Sequence, residues 1–212
     1  MAVDDNKDQT YFLYRVTEDA LAKTLFPLGD YTKPQVRVMA KKFGLVTATK
    51  KESMGICFVG KVGIKDFLQY ELGQQKPGAI IDQNGKIIGQ HDGAIYYTIG
   101  QRRGLDVGGG LPYYVIGKDM TKNEVYVTTG LDDKRLWTTE LNLTTMHWIN
   151  SLPTDMNVQV RTRHRALLVQ AKLQLEDDKV ALVLKDEIRA ATPGQSAVIY
   201  QHQFCLGGGI II

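Results

Sequence analysis

Cysteine is scarce in this 212-residue chain, which contains only Cys57 and Cys205. Two cysteines cannot build the multi-bridge framework of a small secreted domain, and they fall short of the four ligands of a Cys-rich zinc site. Any cysteine chemistry is therefore expected to use a single thiol.

Long apolar runs are also missing. No stretch approaches the roughly 18 apolar residues that a membrane-spanning helix needs, and the start of the chain has no apolar signal-peptide core. Charge is nearly balanced, with 26 Lys and Arg against 23 Asp and Glu and a net charge of +3. This composition predicts a folded cytoplasmic protein without a membrane partner, and it does not by itself indicate a nucleic-acid binder.

Common catalytic signatures are absent from the sequence. The four histidines, His91, His147, His164 and His202, show no metal-ligand spacing, so no metal is predicted. The glycine-rich stretch 100–110 lacks the spacing of a dinucleotide-binding loop, and no Gly-x-Ser-x-Gly hydrolase elbow occurs. These glycines are predicted to serve turns between short strands.

Glycine is abundant in one part of the chain, where 13 of the 21 glycines lie between residues 62 and 136. This shift in composition predicts three domains, with bounds 1–61, 62–136 and 137–212. The first domain carries the whole excess of basic residues.

The first predicted domain combines helices with short strands. Thr17 and Thr32 are predicted N-caps of two helices, and Gly44 is predicted to end the second. Strands are predicted at 45–48 and 55–59. Together these elements indicate half of an α/β layer.

The central domain is predicted to be a helix over 64–72 followed by a small sheet. Asn84 and Gly85 stand between two apolar runs, and this dipeptide predicts a hairpin with a type I′ turn because both residues tolerate positive φ. The other strands are predicted at 94–99, 113–117 and 124–128.

From residue 137 onward, apolar and polar residues alternate as they do in half-buried strands. About six strands are predicted, the last two at 196–200 and 204–212, and they indicate a small antiparallel β-barrel. The whole chain is therefore predicted to be an α+β multidomain protein.

Three arginines stand at alternate positions near the start of the barrel. On an extended strand, Arg161, Arg163 and Arg165 would share one face and form a positive stripe. We expect this stripe to contact phosphate groups. The alternative is an ordinary charge ladder with the acidic residues 176–178 on a neighbouring strand.

The two cysteines differ in their surroundings. Cys57 follows two lysines and a serine, and nearby cations lower the pKa of a thiol, so a reactive thiolate is predicted there. A buried apolar role is the alternative for Cys57 and the preferred interpretation for Cys205, which has no charge nearby.

Five motifs of this sequence resemble one known family. They are residues 5–13 (DNKDQTYFL), 53–58 (SMGICF), 91–93 (HDG), 97–102 (YTIGQR), and 192–195 (TPGQ) with 205–209 (CLGGG). The motifs occur in the order found in the tRNA-specific 2-thiouridylases and cover essentially the whole chain. The sequence is therefore similar to that family.

This resemblance implies ATP-dependent transfer of sulfur to C2 of the wobble uridine in the tRNAs for Lys, Glu and Gln. Family members use ATP as a co-substrate to adenylate the uridine O2, and a cysteine persulfide then delivers the sulfur. A sulfur-carrier protein is the implied donor. The resemblance also implies that the first domain is the remnant of a nucleotide-binding α/β domain.

The resemblance assigns roles to particular residues. Cys57 matches the cysteine that carries the persulfide. The residues that match tRNA contacts are Lys7, Asp8, Gln9, Arg163, His164 and Gln195. His164 departs from the family pattern, since tyrosine is usual there, although stacking and hydrogen bonding remain available to an imidazole.

Two family features are absent from this sequence: a Ser-Gly-Gly-x-Asp-Ser loop for ATP and a second catalytic cysteine. The sequence is therefore expected to be a C-terminal portion that holds no ATP site and is inactive alone. Two hypotheses stay open, the sulfur-transferring part of an enzyme or a tRNA-binding β-barrel module without chemistry. Loading of Cys57 with persulfide sulfur would distinguish them.

Overall fold

The computed structural model describes residues 1–51, 63–176 and 179–212. The chain divides into two compact units. One unit consists of Met1–Lys51, Thr139–Glu187 and Thr192–Ile212, and the other lies within Glu52–Thr138 and Ile188–Ala191. The domain boundaries that glycine content suggests stay predictions.

The described residues form four α-helices: α1 Thr10–Leu13, α2 Glu18–Ala22, α3 Lys33–Lys42 and α4 Ile64–Leu72. The predicted N-caps are confirmed. The Thr17 side chain accepts a hydrogen bond from the backbone of Ala20, and Thr32 forms a capping box with Gln35. Every helix in the described part of the chain is too short or too polar to cross a lipid bilayer.

The strand predicted at 45–48 is wrong. The chain forms a short 3₁₀ helix there, Val46–Thr49. The guanidinium of Arg37, on α3, donates to the carbonyls of Ala48 and Lys50 at 2.6 Å each, so these backbone groups are held by a side chain instead of a neighbouring strand. The second strand predicted for this region, at 55–59, lies outside the described residues.

The second unit contains a four-stranded mixed sheet. Its strands are β1 Gly78–Ile81, β2 Ile87–His91, β3 Tyr114–Asp119 and β4 Glu124–Thr128, in the order β2-β1-β4-β3. The inner strands β1 and β4 run parallel, and the outer pairs are antiparallel. One face of the sheet packs on a core that includes Ile80, Val115 and Val125.

The hairpin β1–β2 is confirmed, but its turn differs from the prediction. Gly85 has a φ of 81° and Asn84 does not have positive φ, so the turn is not type I′. The Asp82 carboxylate accepts the amides of Asn84 and Lys86 and stabilises a three-residue loop with glycine at its end.

The strand predicted at 94–99 is also wrong. A 3₁₀ helix, Ala94–Tyr96, occupies its beginning. Ala94 and Tyr97 are both buried, and a spacing of three residues places two side chains on one face of a 3₁₀ turn instead of on one face of a strand. A further 3₁₀ helix, Lys134–Leu136, precedes the barrel.

The predicted six-stranded antiparallel barrel is confirmed. Its strands are β5 Trp137–Trp148, β6 Asn157–Arg161, β7 Val169–Glu176, β8 Lys179–Arg189, β9 Ser196–Gln201 and β10 Phe204–Ile211. They close in the order β10-β5-β8-β7-β6-β9. Buried residues recur at alternate positions, including Leu141, Leu143, Val158, Val160, Leu173 and Leu182. This alternation is the sequence pattern that predicts the barrel.

Candidate nucleic-acid interface

Residues 1–14, here called the N-terminal strap, pack against the barrel in the first unit. Tyr14 is buried together with Val198 and Tyr200 of β9. Gly208 makes this close approach possible, because a Cβ atom at that position would lie 3.0 Å from the Tyr14 ring. The strap therefore has a fixed position relative to the strands of the barrel.

Asp8, at the centre of the strap, lies in a buried ion pair. Its carboxylate is 3.2 Å from the guanidinium of Arg161, and the two residues are 1% and 6% exposed. The carboxylate also accepts hydrogen bonds from the hydroxyl of Thr10 at 2.8 Å and from the backbone amides of Thr10 and Ala2. These donors fix the Lys7–Gln9 stretch against β6.

The hydrogen bonds to Asp8 also keep it charged. Burial by itself raises the pKa of a carboxyl, but the donors from Thr10 and Ala2 outweigh it, and the pKa of Asp8 lies below its ordinary value. A direct contact of Asp8 with RNA stays a prediction, while its position explains how the strap is held.

The predicted arginine stripe on one strand is wrong. Strand β6 ends at Arg161, whose side chain is buried against Asp8 and lies 5.6 Å from the centre of the Tyr200 ring. The chain then turns, with Arg165 at a φ of 65°, so Arg163 and Arg165 belong to a turn and not to the face of a strand. The buried acidic partner of Arg161 is Asp8, which lies on the strap.

The turn after β6 brings other predicted residues together. The Nε atom of Arg163 donates to the side-chain oxygen of Gln195 at 3.3 Å. The Nε atom of Arg165 donates to the carbonyl of Asn6 at 3.0 Å, which ties the turn to the strap just before Lys7. Three segments that are far apart in sequence thus meet on one surface.

His164 lies between the strap and the barrel. Its ring is 4.9 Å from the ring of Phe12 and 6.4 Å from that of Tyr11. Burial and the charges of Arg165 and Arg161 lower the pKa of His164 below its ordinary value of 6.5, so the ring is neutral at pH 7. A neutral imidazole can stack on an aromatic ring.

Tyr11 anchors this cluster. Its hydroxyl contacts the carbonyls of Ser196 at 3.0 Å and Thr162 at 3.2 Å. Burial raises the pKa of Tyr11, and the charge of Arg163 acts in the opposite direction. Sequence reasoning did not assign a role to Tyr11 or Phe12, although both lie within the motif at 5–13.

The six predicted tRNA-binding residues all lie in this unit: Lys7, Asp8, Gln9, Arg163, His164 and Gln195. Lys7 is half-buried and Gln9 is exposed. Cys57 lies outside the described residues. The surface formed by the strap, the turn 162–165 and Gln195 is called the strap–turn surface below.

Three family profiles match successive parts of the chain. Residues 1–61 match a tRNA methyl transferase HUP domain, residues 65–129 a tRNA methyl transferase PRC-barrel domain, and residues 138–211 an aminomethyltransferase β-barrel domain. The tRNA-specific 2-thiouridylase MnmA of Histophilus somni strain 2336 is 46% identical to 99% of this chain. The chain belongs to the MnmA family of tRNA-specific 2-thiouridylases.

Other MnmA proteins are about as similar. Those of Pseudoalteromonas translucida and Enterococcus faecalis are 45% and 43% identical, each over 99% of this chain. The chain spans 56% of the Histophilus somni protein and 59% and 58% of the other two. It thus covers a little more than half the length of these MnmA relatives.

The second unit of this MnmA-family chain contains two of the five motifs that carry the resemblance, at 91–93 and 97–102. In the motif at 91–93, the buried His91 accepts a hydrogen bond from the amide of Gly93 at 2.9 Å, and its ring lies 5.4 Å from that of Tyr97. Asp92 is exposed and pairs with Lys65. Among the described residues, no three His, Cys, Asp or Glu side chains group as metal ligands would. The prediction of no metal stays a prediction.

Cys205 of the MnmA-family chain packs on the cluster formed by Tyr14, Val198 and Tyr200. The preferred interpretation of Cys205 as a packing residue is therefore confirmed. Burial raises the pKa of its thiol from 9.0 to about 11. The thiolate is the reactive form, so Cys205 is poorly reactive at neutral pH.

We expect alkylation to separate the two cysteines. In the folded chain, iodoacetamide should modify Cys205 at least about tenfold more slowly than Cys57, because raising the pKa of a thiol depletes its thiolate. Peptide mass spectrometry of a time course at neutral pH measures both rates. Equal rates in the folded chain would contradict the prediction, and unfolding in urea should abolish the difference.

Proposed function

We propose that this chain binds tRNA through the strap–turn surface and takes part in thiolation of a tRNA uridine. The observation that carries the proposal is the meeting of Lys7, Arg163 and Gln195 on one unit although they come from three distant segments. The hydrogen bonds of Arg163 to Gln195 and of Arg165 to Asn6 hold these segments together.

The chemistry of the strap–turn surface suits an RNA backbone. Arginine and lysine bind phosphate oxygens, and a glutamine amide can bind a phosphate or a base edge. A structured RNA is recognised largely by shape, backbone contacts and unpaired bases. The names of the MnmA relatives support tRNA as this RNA.

The sulfur-transfer step is a proposal that depends on Cys57. A persulfide sulfur on Cys57, received from a sulfur-carrier protein, would be the nucleophile for C2 of the wobble uridine in the tRNAs for Lys, Glu and Gln, and the adenylated O2 would leave C2 as AMP. A second catalytic thiol, which this sequence does not supply, would then break the sulfur–sulfur bond by forming a disulfide with Cys57 and would leave the sulfur on C2. ATP would be the co-substrate that activates the uridine oxygen, and the sequence offers no phosphate-binding loop for it. We therefore assign ATP binding to no residue of this chain.

The salt dependence of tRNA binding tests the proposal. Arg163→Ala should weaken the binding of whole tRNA and reduce the slope of log affinity against log salt by about one, because one phosphate contact is lost. The matched control is Lys179→Ala, which removes a positive charge from an exposed position at the start of β8. Filter binding at several salt concentrations measures both slopes.

The control decides the interpretation. If Arg163→Ala and Lys179→Ala bind tRNA with the same affinity and the same slope, the strap–turn surface does not hold the RNA backbone. A melting temperature for each variant shows that both chains are folded.

A further inference from the structure

Phe12 is an exposed aromatic ring of the N-terminal strap. Its side chain is 58% exposed, and it lies on α1 directly after Tyr11. The ring packs edge-on against Tyr11 at a centroid distance of 5.3 Å, with an interplanar angle of 86°. A large part of the Phe12 ring therefore faces solvent.

Two neighbouring rings, those of Tyr11 and His164, contact the exposed Phe12 ring. His164 lies 4.9 Å from Phe12 between ring centres, and its Nδ1 atom is buried. Tyr11 is fixed by its contacts with the carbonyls of Thr162 and Ser196. Tyr11 and His164 limit the side-chain motion of Phe12. A planar group could therefore stack on Phe12 with only a small entropic cost from ordering the protein.

Positive charge flanks this aromatic cluster on the strap–turn surface. Arg163 and Arg165 are the immediate sequence neighbours of His164, and Arg165 is hydrogen-bonded to the strap at Asn6. Lys7 follows Asn6 directly. An exposed aromatic ring beside cationic side chains is an arrangement with which proteins bind single-stranded nucleic acid.

We propose that Phe12, backed by His164, is a stacking platform for one unpaired nucleobase of the bound RNA. This inference rests on the proposed function and makes it more specific, since it predicts that the strap–turn surface recognises a single-stranded stretch and not a duplex. The flanking arginines would hold the phosphates on either side of the stacked base. Contact with an apolar protein partner is the competing role for Phe12, and it requires no positive charge.

The test uses the 212-residue chain and an RNA of about ten nucleotides with one 2-aminopurine, either unpaired or annealed to its complement. The wild-type chain should bind the unpaired probe more tightly and quench its fluorescence. Phe12→Leu keeps an apolar side chain but removes the π face, and it should weaken binding about tenfold and abolish the quenching. Phe12→Trp should retain both.

Phe43→Leu is the matched control, because Phe43 is also an exposed phenylalanine of this unit, at 69% exposure, but lies at the end of α3. It should bind the probe as the wild type does. A Phe12→Leu chain that binds and quenches normally overturns the proposal and leaves a protein partner as the role of the ring. Equal binding of the paired and unpaired probes also overturns it.

Measuring Arg163→Ala with whole tRNA separates this inference from the proposed function. If Arg163→Ala weakens tRNA binding and Phe12→Leu does not, tRNA binding by the surface stands and the stacking platform is wrong. If neither substitution changes tRNA affinity, the proposed function is wrong as well.

Discussion

Replacing Asp8 by alanine should lower the free energy of unfolding of the first unit by about 3–5 kcal/mol, because it leaves the guanidinium of Arg161 buried without its carboxylate. The substitution also removes the acceptor for the amides of Ala2 and Thr10. Urea unfolding followed by circular dichroism measures the loss. Few single substitutions in this chain should cost as much.

Two further variants test the cause of that loss. Asp5→Ala removes an exposed carboxylate from the same segment and should change the unfolding free energy by less than about 0.5 kcal/mol. The double substitution Asp8→Ala with Arg161→Met should recover part of the stability, because no buried charge is left unpaired. Equal costs for Asp5→Ala and Asp8→Ala would show that the ion pair is not a stabilising contact.

The hydrogen bonds from Thr10 and Ala2 to Asp8 predict a pH dependence of stability with a definite sign. The pKa of Asp8 is lower in the folded chain than its ordinary value of 3.8, so the unfolded chain binds the proton more readily. The contribution of Asp8 to stability is therefore fully present above pH 3.8 and is lost as the pH falls through the lower pKa of the folded chain. Asp8→Ala should remove this part of the acid-induced loss of stability.

The second large effect concerns sulfur transfer. Cys57→Ser should abolish tRNA thiolation, with a loss of at least about a thousandfold, because a serine hydroxyl cannot carry a persulfide sulfur. A chimaera in which the first part of the Histophilus somni relative precedes this chain provides the assay, with 2-thiouridine measured by mass spectrometry of digested tRNA. Binding of tRNA should change little, since thiol and hydroxyl differ little in size.

Cys205→Ser is the matched control in that chimaera. Cys205 packs beside Tyr14 and Tyr200 and has a raised pKa, so its substitution should leave thiolation within a few-fold of the unsubstituted chimaera. Residual thiolation by the Cys57→Ser chimaera would favour the alternative hypothesis, in which the chain binds tRNA without carrying sulfur.

The parts of the fold that the sequence predicts well are those with local physical causes. Alternating apolar residues predict the barrel strands because successive side chains on a strand point to opposite faces. Thr17 and Thr32 predict helix starts because a hydroxyl can accept the unpaired amides there. Asn84 and Gly85 predict the position of the turn correctly but not its type, because Asp82 stabilises a longer loop.

The errors share a different cause. The predicted arginine stripe is wrong because β6 ends at Arg161. Residues at alternate positions share one face only within a strand, and Arg163 and Arg165 lie beyond its end. Nothing local to Arg161 indicates that its partner is Asp8, 153 residues away. Long-range pairs of this kind depend on how the barrel closes.

The candidate site shows the same limit. The motif at 5–13 predicts Lys7, Asp8 and Gln9 as tRNA contacts by resemblance. Only the packing of the strap shows that Asp8 is buried and Gln9 is exposed. In the sequence, Phe12 looks like an ordinary apolar residue of a short helix. Only the folded structure shows that its side chain is exposed to solvent.

The contacts of the strap also set an order of events during synthesis. Tyr11 binds carbonyls that lie 151 and 185 positions later in the chain. At about 5–20 residues per second, the ribosome delivers the last of these roughly 10–40 seconds after Tyr11 emerges. Until β9 is made, Tyr14 lacks the side chains of Val198 and Tyr200 against which it packs, so the strap cannot dock completely before then. A stop codon before β9 would leave the strap incompletely docked for the lifetime of the truncated chain.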